Sequence, residues 1–169
     1  MKLIRCATTN PGKLREFRIA ADHFGHRHIQ IEAIEHMKSL PECIEDGETF
    51  EENAIKKAIH YSVHAHRPVF SDDSGLVVAA LDGAPGVRSA RFAGPKATDE
   101  ENNRLLLEKL DGVDQRIAWF KCVIALAHEG RLLGVFQGSV EGRIAPAPRG
   151  PNGFGYDPVF IANGFEQTF

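Results

Sequence analysis

The sequence is poor in cysteine, in long apolar runs and in net positive charge, and each shortage closes off a class of protein. Its three cysteines, Cys6, Cys43 and Cys122, are isolated and odd in number. They suit a reducing compartment, argue against a zinc site, and read as packing residues. Neither end carries an apolar stretch long enough to span a bilayer, and MKLIRCATTN turns polar too soon for a signal-peptide core. The expected setting is therefore cytoplasmic, without a membrane partner. A formal net charge of −3 offers no general attraction to a polyanion, so a nucleic acid polymer is not expected as a partner. Any anion must meet locally clustered lysines and arginines. Repeats, low-complexity tracts and linker-like segments are missing too.

What is there is a chain of 169 residues, 43% hydrophobic and 25% charged, one domain's worth with room for a real core and for two tightly packed lobes. Hydrophobic periodicity predicts a strand near 2–8, a helix at about 12–24 and a second strand over 29–34. Residues 36–48 read as a loop. Thr49 and Glu52 form a capping-box pattern that opens a helix running to about 65, and residues 68–70 resume a strand. The segment 71–94 is expected to begin with carboxylates at that strand's end and to pass through a short apolar run into a glycine- and proline-rich loop. Thr98 and Glu101 open another helix over 98–110. Residues 117–128 and 132–145 then read as a long antiparallel hairpin turned at Glu129-Gly130. Strands alternate with helices early and pair with each other late, which implies α/β with a mixed sheet.

Three polar clusters interrupt this scaffold. The first, Thr8, Thr9, Asn10, Pro11, Gly12 and Lys13, lies between the first strand and its helix. It is not a Walker loop, because no Ser or Thr follows the Gly-Lys pair. A helix starting near Pro11 nevertheless points its unpaired N–H groups and positive dipole end at the loop, and the lysine adds charge, a set suited to phosphate oxygens. Thr and Asn capping the helix, with Lys13 in solvent, is an equally open reading. The second cluster is Asp72-Asp73-Ser74-Gly75, preceded by the acidic loop Glu45-Asp46-Gly47-Glu48. Adjacent aspartates repel unless a cation or lysines neutralise them, and magnesium, which is often shared with substrate phosphates, is the natural candidate. A plain turn is the other reading. The third cluster, PRGPNGFGYDPVF over 148–160, offers glycines for close backbone approach, Phe154 and Tyr156 as flat surfaces and Asp157 as an acceptor, which together suit a purine. A loop closed on its own aromatics also fits. His60 and His64 lie one helical turn apart, but HYSVH lacks the glutamate of a zinc-protease motif, and Ile55, Ala58 and Ile59 mark that helix for core packing.

Taken together, ATTNPGK, EDGETFEENA, DDSGLVVAALDGAPGVRSARFAG and PRGPNGFGYDPVF resemble, in order and spacing and over essentially the whole chain, the inosine triphosphate pyrophosphatase family, also called Ham1-like. The resemblance implies a magnesium-dependent hydrolase that cleaves ITP, dITP and XTP to the monophosphate and pyrophosphate. It implies an elongated mixed sheet with flanking helices, two lobes around a central substrate cleft, and a homodimer. Carried over residue by residue, Thr8 to Lys13 match the family's phosphate-binding loop and Lys57 a second phosphate-facing lysine. Glu45 and Asp73 match the magnesium ligands. Asp73 also matches the general base, a role that the residues themselves leave open between Asp72 and Asp73. Ser74 matches a substrate contact, and Phe154, Gly155, Tyr156 and Asp157 match the base-pocket loop.

In one respect the chain departs from the pattern. Family members continue past Thr-Phe with a Ser-His-Arg segment whose His-Arg pair contacts the base, whereas this sequence stops at Phe169. The chain is thus expected to be one domain over 1–169, with the C-terminal segment omitted or disordered, since its loss would leave core exposed around Phe165 and Phe169. Two rivals remain. A Maf-like pyrophosphatase would act on pyrimidine or modified nucleotides, against which GFGYDP favours purines. A non-catalytic nucleotide-binding module would have no need of the costly acidic set Glu45, Asp72 and Asp73.

Overall fold

The computed structural model describes residues 2–26, 28–151 and 153–169, so that Asn152 of the PRGPNGFGYDPVF stretch lies outside the described residues. The elements run β1 (Lys2–Cys6), α1 (Pro11–His23), β2 (Ile29–Ala33), α2 (Phe50–Ser62), β3 (Val69–Val78), α3 (Asp99–Lys109), β4 (Ile117–His128), β5 (Arg131–Ile144) and β6 (Phe160–Ala162). Short 3₁₀ turns lie at Met37–Ser39, Ala79–Leu81, Gly86–Arg91 and Asp157–Val159. The six strands form one sheet in the order β2-β1-β3-β4-β5-β6. β1 pairs in parallel with β2 and β3, and β5 pairs antiparallel with β6, so the sheet is mixed, as the element pattern predicts. None of the described helices is long and apolar enough to cross a membrane.

Local sequence explains most boundaries. Asn10 caps α1, its side chain accepting from Gly12 and Lys13 N–H, with Pro11 in the first turn where its missing donor costs nothing. Both capping boxes form in full: Thr49 with Glu52 opens α2, and Thr98 with Glu101 opens α3. The hairpin between β4 and β5 turns on two residues with positive φ, Glu129 (50°) and Gly130 (76°), the combination that a type I′ turn requires.

β3 differs from the expectation. It does not end at residue 70 but continues through SDDSGLVV to Val78, so Asp72 and Asp73 stand in mid-strand. Four consecutive polar residues conceal a strand from a period-two reading. The extension is held by packing and by a new partner, since Leu76 and Val78 are fully buried and the β1 pairing stops at Phe70. Beyond it, Val78 N–H donates to Ala84 O, and Leu76 N–H donates to Ser89 Oγ at 2.9 Å.

Contacts divide the chain into two compact units, residues 1–73 with 123–137 and residues 74–122 with 138–169. In the first, Ala54 and Ala58 of α2 pack on Val123, Ala125 and Ala127 of β4, and a second cluster joins Ala7, Ile34, Tyr61 and Val69. α1 leans on β3 through an edge-to-face contact of Phe17 and Phe70. In the second unit, Leu76, Leu106, Leu110, Tyr156 and Phe160 share one core. Phe169 stacks on Phe120 there, with ring centroids 5.7 Å apart.

Gly75 is a point of close backbone approach within the second unit. A Cβ on it would press on Ser89 Oγ and lie 2.8 Å from Gly86 O. Gly75→Ala must push the Gly86–Arg91 turn off β3, and overpacking of this kind costs ~1 to 3 kcal/mol. Urea denaturation checks this, a midpoint unchanged from the parent being the contrary result.

Candidate active site

β1 delivers the first cluster. Ala7 N–H still donates to Phe70 O across the sheet, and the chain leaves it at Thr8, whose Oγ1 accepts from Asn10 N–H. Asn10 does cap α1, but Lys13 does not lie in solvent. Its Nζ is 2.6 Å from Asp72 Oδ2, and the aspartate side chain is only 4% exposed. The two readings of this loop are therefore partly joined: the asparagine shapes the helix start, and the start holds the lysine against the sheet.

α2 supplies the matching arrangement for Asp73. Lys57 Nζ donates to Glu45 Oε2 at 2.6 Å and lies 3.9 Å from Asp73 Oδ1. Asn53, which the sequence reading missed, is buried and donates from Nδ2 to Asp73 Oδ2 at 3.2 Å. Its Oδ1 accepts from Gly47 N–H, so one amide ties the acidic loop to the strand. A buried asparagine within a helix is the signal that could have revealed it, because asparagine is a poor helix former. The adjacent carboxylates thus have different nearest partners, Lys13 for Asp72 and Lys57 with Asn53 for Asp73. Burial raises the Asp73 carboxyl above its ordinary 3.8, with Lys57 and Asn53 opposing the shift and Glu45 adding to it.

A cavity of about 340 Å³ in this unit is lined by Thr8, Thr9, Lys13, Glu45, Lys57 and Asp72, together with Cys43, Tyr61 and apolar neighbours. Six of the sequence-derived candidates thus share one pocket. Cys43 is also new to the site, and its thiol is raised mainly by burial. His60 uses its ring nitrogen on Pro41 O, and among the described residues no group of three or more His, Cys, Asp or Glu side chains is placed to hold a metal.

The remaining candidates lie in the second unit. Ser74 begins it, next along the chain from Asp73. In the glycine-rich loop, Phe154 and Gly155 are half-buried. Tyr156, by contrast, is 4% exposed with its hydroxyl donating to Ser89 O at 2.9 Å, so its ring belongs to the core, and burial raises its hydroxyl pKa. Asp157 Oδ2 accepts from Phe154 N–H at 2.9 Å, closing the loop on itself. Its carboxyl is raised by burial, with Asp99 adding and the Phe154 N–H opposing.

The sequence profile of the Ham1 family matches residues 4–169. The chain belongs to this family. A dITP/XTP pyrophosphatase of an Exiguobacterium species is 48% identical over 168 residues, covering 99% of this chain and 84% of that protein. One from Geobacillus kaustophilus is 49% identical over 162 residues, covering 95% and 78%. The solved structure of a HAM1 protein from Coxiella burnetii superposes with a TM-score of 0.84 at 42% identity, covering 99% of this chain and 85% of that one.

Two outcomes follow from the charges in the first unit. Lys13→Ala leaves a buried carboxylate without its ammonium and should cost ~2 kcal/mol or more, whereas Lys13→Ala with Asp72→Asn should recover part of that loss; chemical denaturation of the double-mutant cycle measures both. Asp73 behaves in the opposite sense. Its folded pKa lies above the unfolded value, so its favourable contribution is present below about 3.8 and is lost as pH rises through the folded pKa. Asp73→Asn should therefore gain in melting temperature relative to the parent as pH is raised from about 4 to about 7. A difference that shrinks over that range would contradict the assigned environment.

Proposed function

We propose that this protein is a nucleoside triphosphate pyrophosphatase that hydrolyses ITP, dITP and XTP to the monophosphate and pyrophosphate, removing deaminated purines from the nucleotide pool. The observation that carries the reading is the 340 Å³ cavity in which Thr8, Thr9, Lys13 and Lys57 meet Glu45 and Asp72, in a chain of the Ham1 family. Hydroxyls, ammonium groups and a helix start are phosphate donors, and carboxylates beside them are otherwise out of place. The reading takes the protein as a cytoplasmic homodimer, with neither a nucleic acid polymer nor a membrane as partner, and residues 1–169 as one functional domain.

In this reading Thr8 to Lys13 and Lys57 bind the triphosphate and absorb its charge. Asp73 is favoured over Asp72 as general base. Asp72 is tied to Lys13, whereas Asp73 is less buried and its raised pKa brings it closer to the operating pH. Its part is to align a water on the α-phosphorus and take up a proton. The donor set also fits magnesium, because Glu45 and Asp73 already approach a common cation, the Lys57 ammonium, and magnesium needs few carboxylates when phosphates and water complete its shell. When bound, it neutralises charge on the separating phosphates. Ser74 is assigned to substrate contact and Phe154 to Asp157 to the base, with the Phe154 ring stacking on it and Tyr156 anchoring the loop. Hypoxanthine and xanthine present an acceptor at position 6 and a donor at N1, and adenine the reverse. A pocket shaped for the first leaves polar groups unpaired with the second, at ~1 to 3 kcal/mol each.

A pyrophosphate-release assay on ITP, XTP, GTP and ATP, with and without magnesium, tests this. ITP and XTP should be cleaved in preference to ATP and only with the metal. Asp73→Asn should lose ~10²-fold or more in turnover while remaining folded. Equal kcat/KM for ITP and ATP, or near-normal turnover in the folded variant, would refute the corresponding assignment.

A further inference from the structure

Gly155 is held from one helix on both sides. Its N–H donates to Asp99 Oδ2 at 2.7 Å, and its C=O accepts from Asn103 Nδ2 at 2.8 Å. Asp99 and Asn103 are one turn apart, so they share a face of α3. Helix formation does not explain Asn103. Asn103 is 6% exposed on a helix whose next buried position is Leu106, and its Oδ1 has no hydrogen-bond partner among the described residues. An apolar side chain there would avoid that cost. The amide is oriented by its bond to Gly155, which requires a donor, and the orphaned oxygen is the consequence. Asp99 stands in the first turn of α3, where a carboxylate ordinarily serves the helix dipole, yet its oxygen reaches out to the loop.

The segment so held needs holding. Gly153 and Gly155 both have positive φ, 88° and 59°, so the loop has unusual backbone freedom to lose. Tyr156 pins it on one side through Ser89 O, and Asp157 closes it through Phe154 N–H. The Asp99 bond fixes the peptide that joins Phe154 to Gly155, and with it part of the backbone from which the Phe154 side chain projects.

We propose that Asp99 and Asn103 clamp Gly155 and are positioning residues that set purine discrimination, an inference that rests on the functional reading above. Asp99 is exposed, so its substitution spares the core. Asp99→Ala removes the acceptor, Asp99→Asn keeps an oxygen for the Gly155 N–H without the charge, and Thr98→Ala weakens the same helix end without touching the loop.

Two readouts separate clamp from function. The first is hydrogen exchange of the Gly155 amide in the ligand-free protein, which should speed up by ~10-fold or more in Asp99→Ala and stay near the parent in Asp99→Asn and Thr98→Ala. Unchanged exchange in Asp99→Ala overturns the clamp. The second is the ITP to ATP ratio of kcat/KM, which should fall ~10-fold in Asp99→Ala and Asn103→Ala, recover in Asp99→Asn, and hold in Thr98→Ala despite its lower melting temperature. Faster exchange with an unaltered ratio overturns the role in discrimination. A parent protein that treats ITP and ATP alike overturns the functional reading and the discrimination role with it, while Gly155 exchange still decides the clamp.

Discussion

Asp72 and Asp73 stand in the middle of β3, and a carboxylate removed from water is tolerated there only with a cation or several donors beside it. Much of the first unit can be understood as the supply of those partners. α1 begins where it does because Asn10 and Pro11 fix its first turn, and that turn puts Lys13 against Asp72. α2 begins at a complete capping box, and one turn further in it places Asn53 and then Lys57 toward Asp73. Shifting either helix start by a residue would rotate its polar side chain about 100° away from the strand, a displacement set by the 3.6-residue turn. The caps therefore position charge as well as ending helices.

The parts of this arrangement that were legible in the sequence are those governed by local rules. Both capping boxes, the Glu129-Gly130 hairpin and the mixed sheet each follow from residues close together in the chain or from the succession of elements, and the structure has them where those rules place them. The continuation of β3 was not legible, because Ser71 to Ser74 is polar and the strand's further support comes from β4, distant in the chain, and from bonds of Leu76 and Val78 to Ser89 and Ala84 in a loop that has no periodicity to announce it. Family resemblance supplied the candidate site. Physical reading of the residues alone left Lys13 undecided between solvent and ligand, and only a contact across 59 positions of sequence separation resolves its place.

The second unit solves a different problem, largely with neutral groups beside the carboxylates of Asp99 and Asp157. Its loops are anchored to α3 by two adjacent asparagines. Asn102 accepts from Ala93 N–H and donates to Ala90 O, while Asn103 serves Gly155. Ser89 accepts from Leu76 N–H, donates to Gly86 O, and offers its own carbonyl to Tyr156. Such side chains replace the ladder of a regular element with point attachments, so irregular backbone can be buried with most of its polar groups satisfied. A sequence-based search for the site favours charges and aromatics, which is why Asn53, Asn102 and Asn103 passed unnoticed inside ordinary-looking helices.

The two solutions differ in what they leave behind. In the first unit the cations lie close enough to hold the carboxylates but not to satisfy them equally. Asp72 is within 2.6 Å of Lys13, whereas Asp73 sees Lys57 only at 3.9 Å, and that ammonium is shared with Glu45. Burial wins at Asp73 and raises its pKa, so its anion is held at a cost in the free protein. A site that fully neutralised both aspartates would be more stable and would have no basic oxygen to offer. The incomplete pairing of Asp73 is a local conflict with stability, and under the proposed function that conflict is what leaves it a basic oxygen, whereas Asp72 beside it is closely paired.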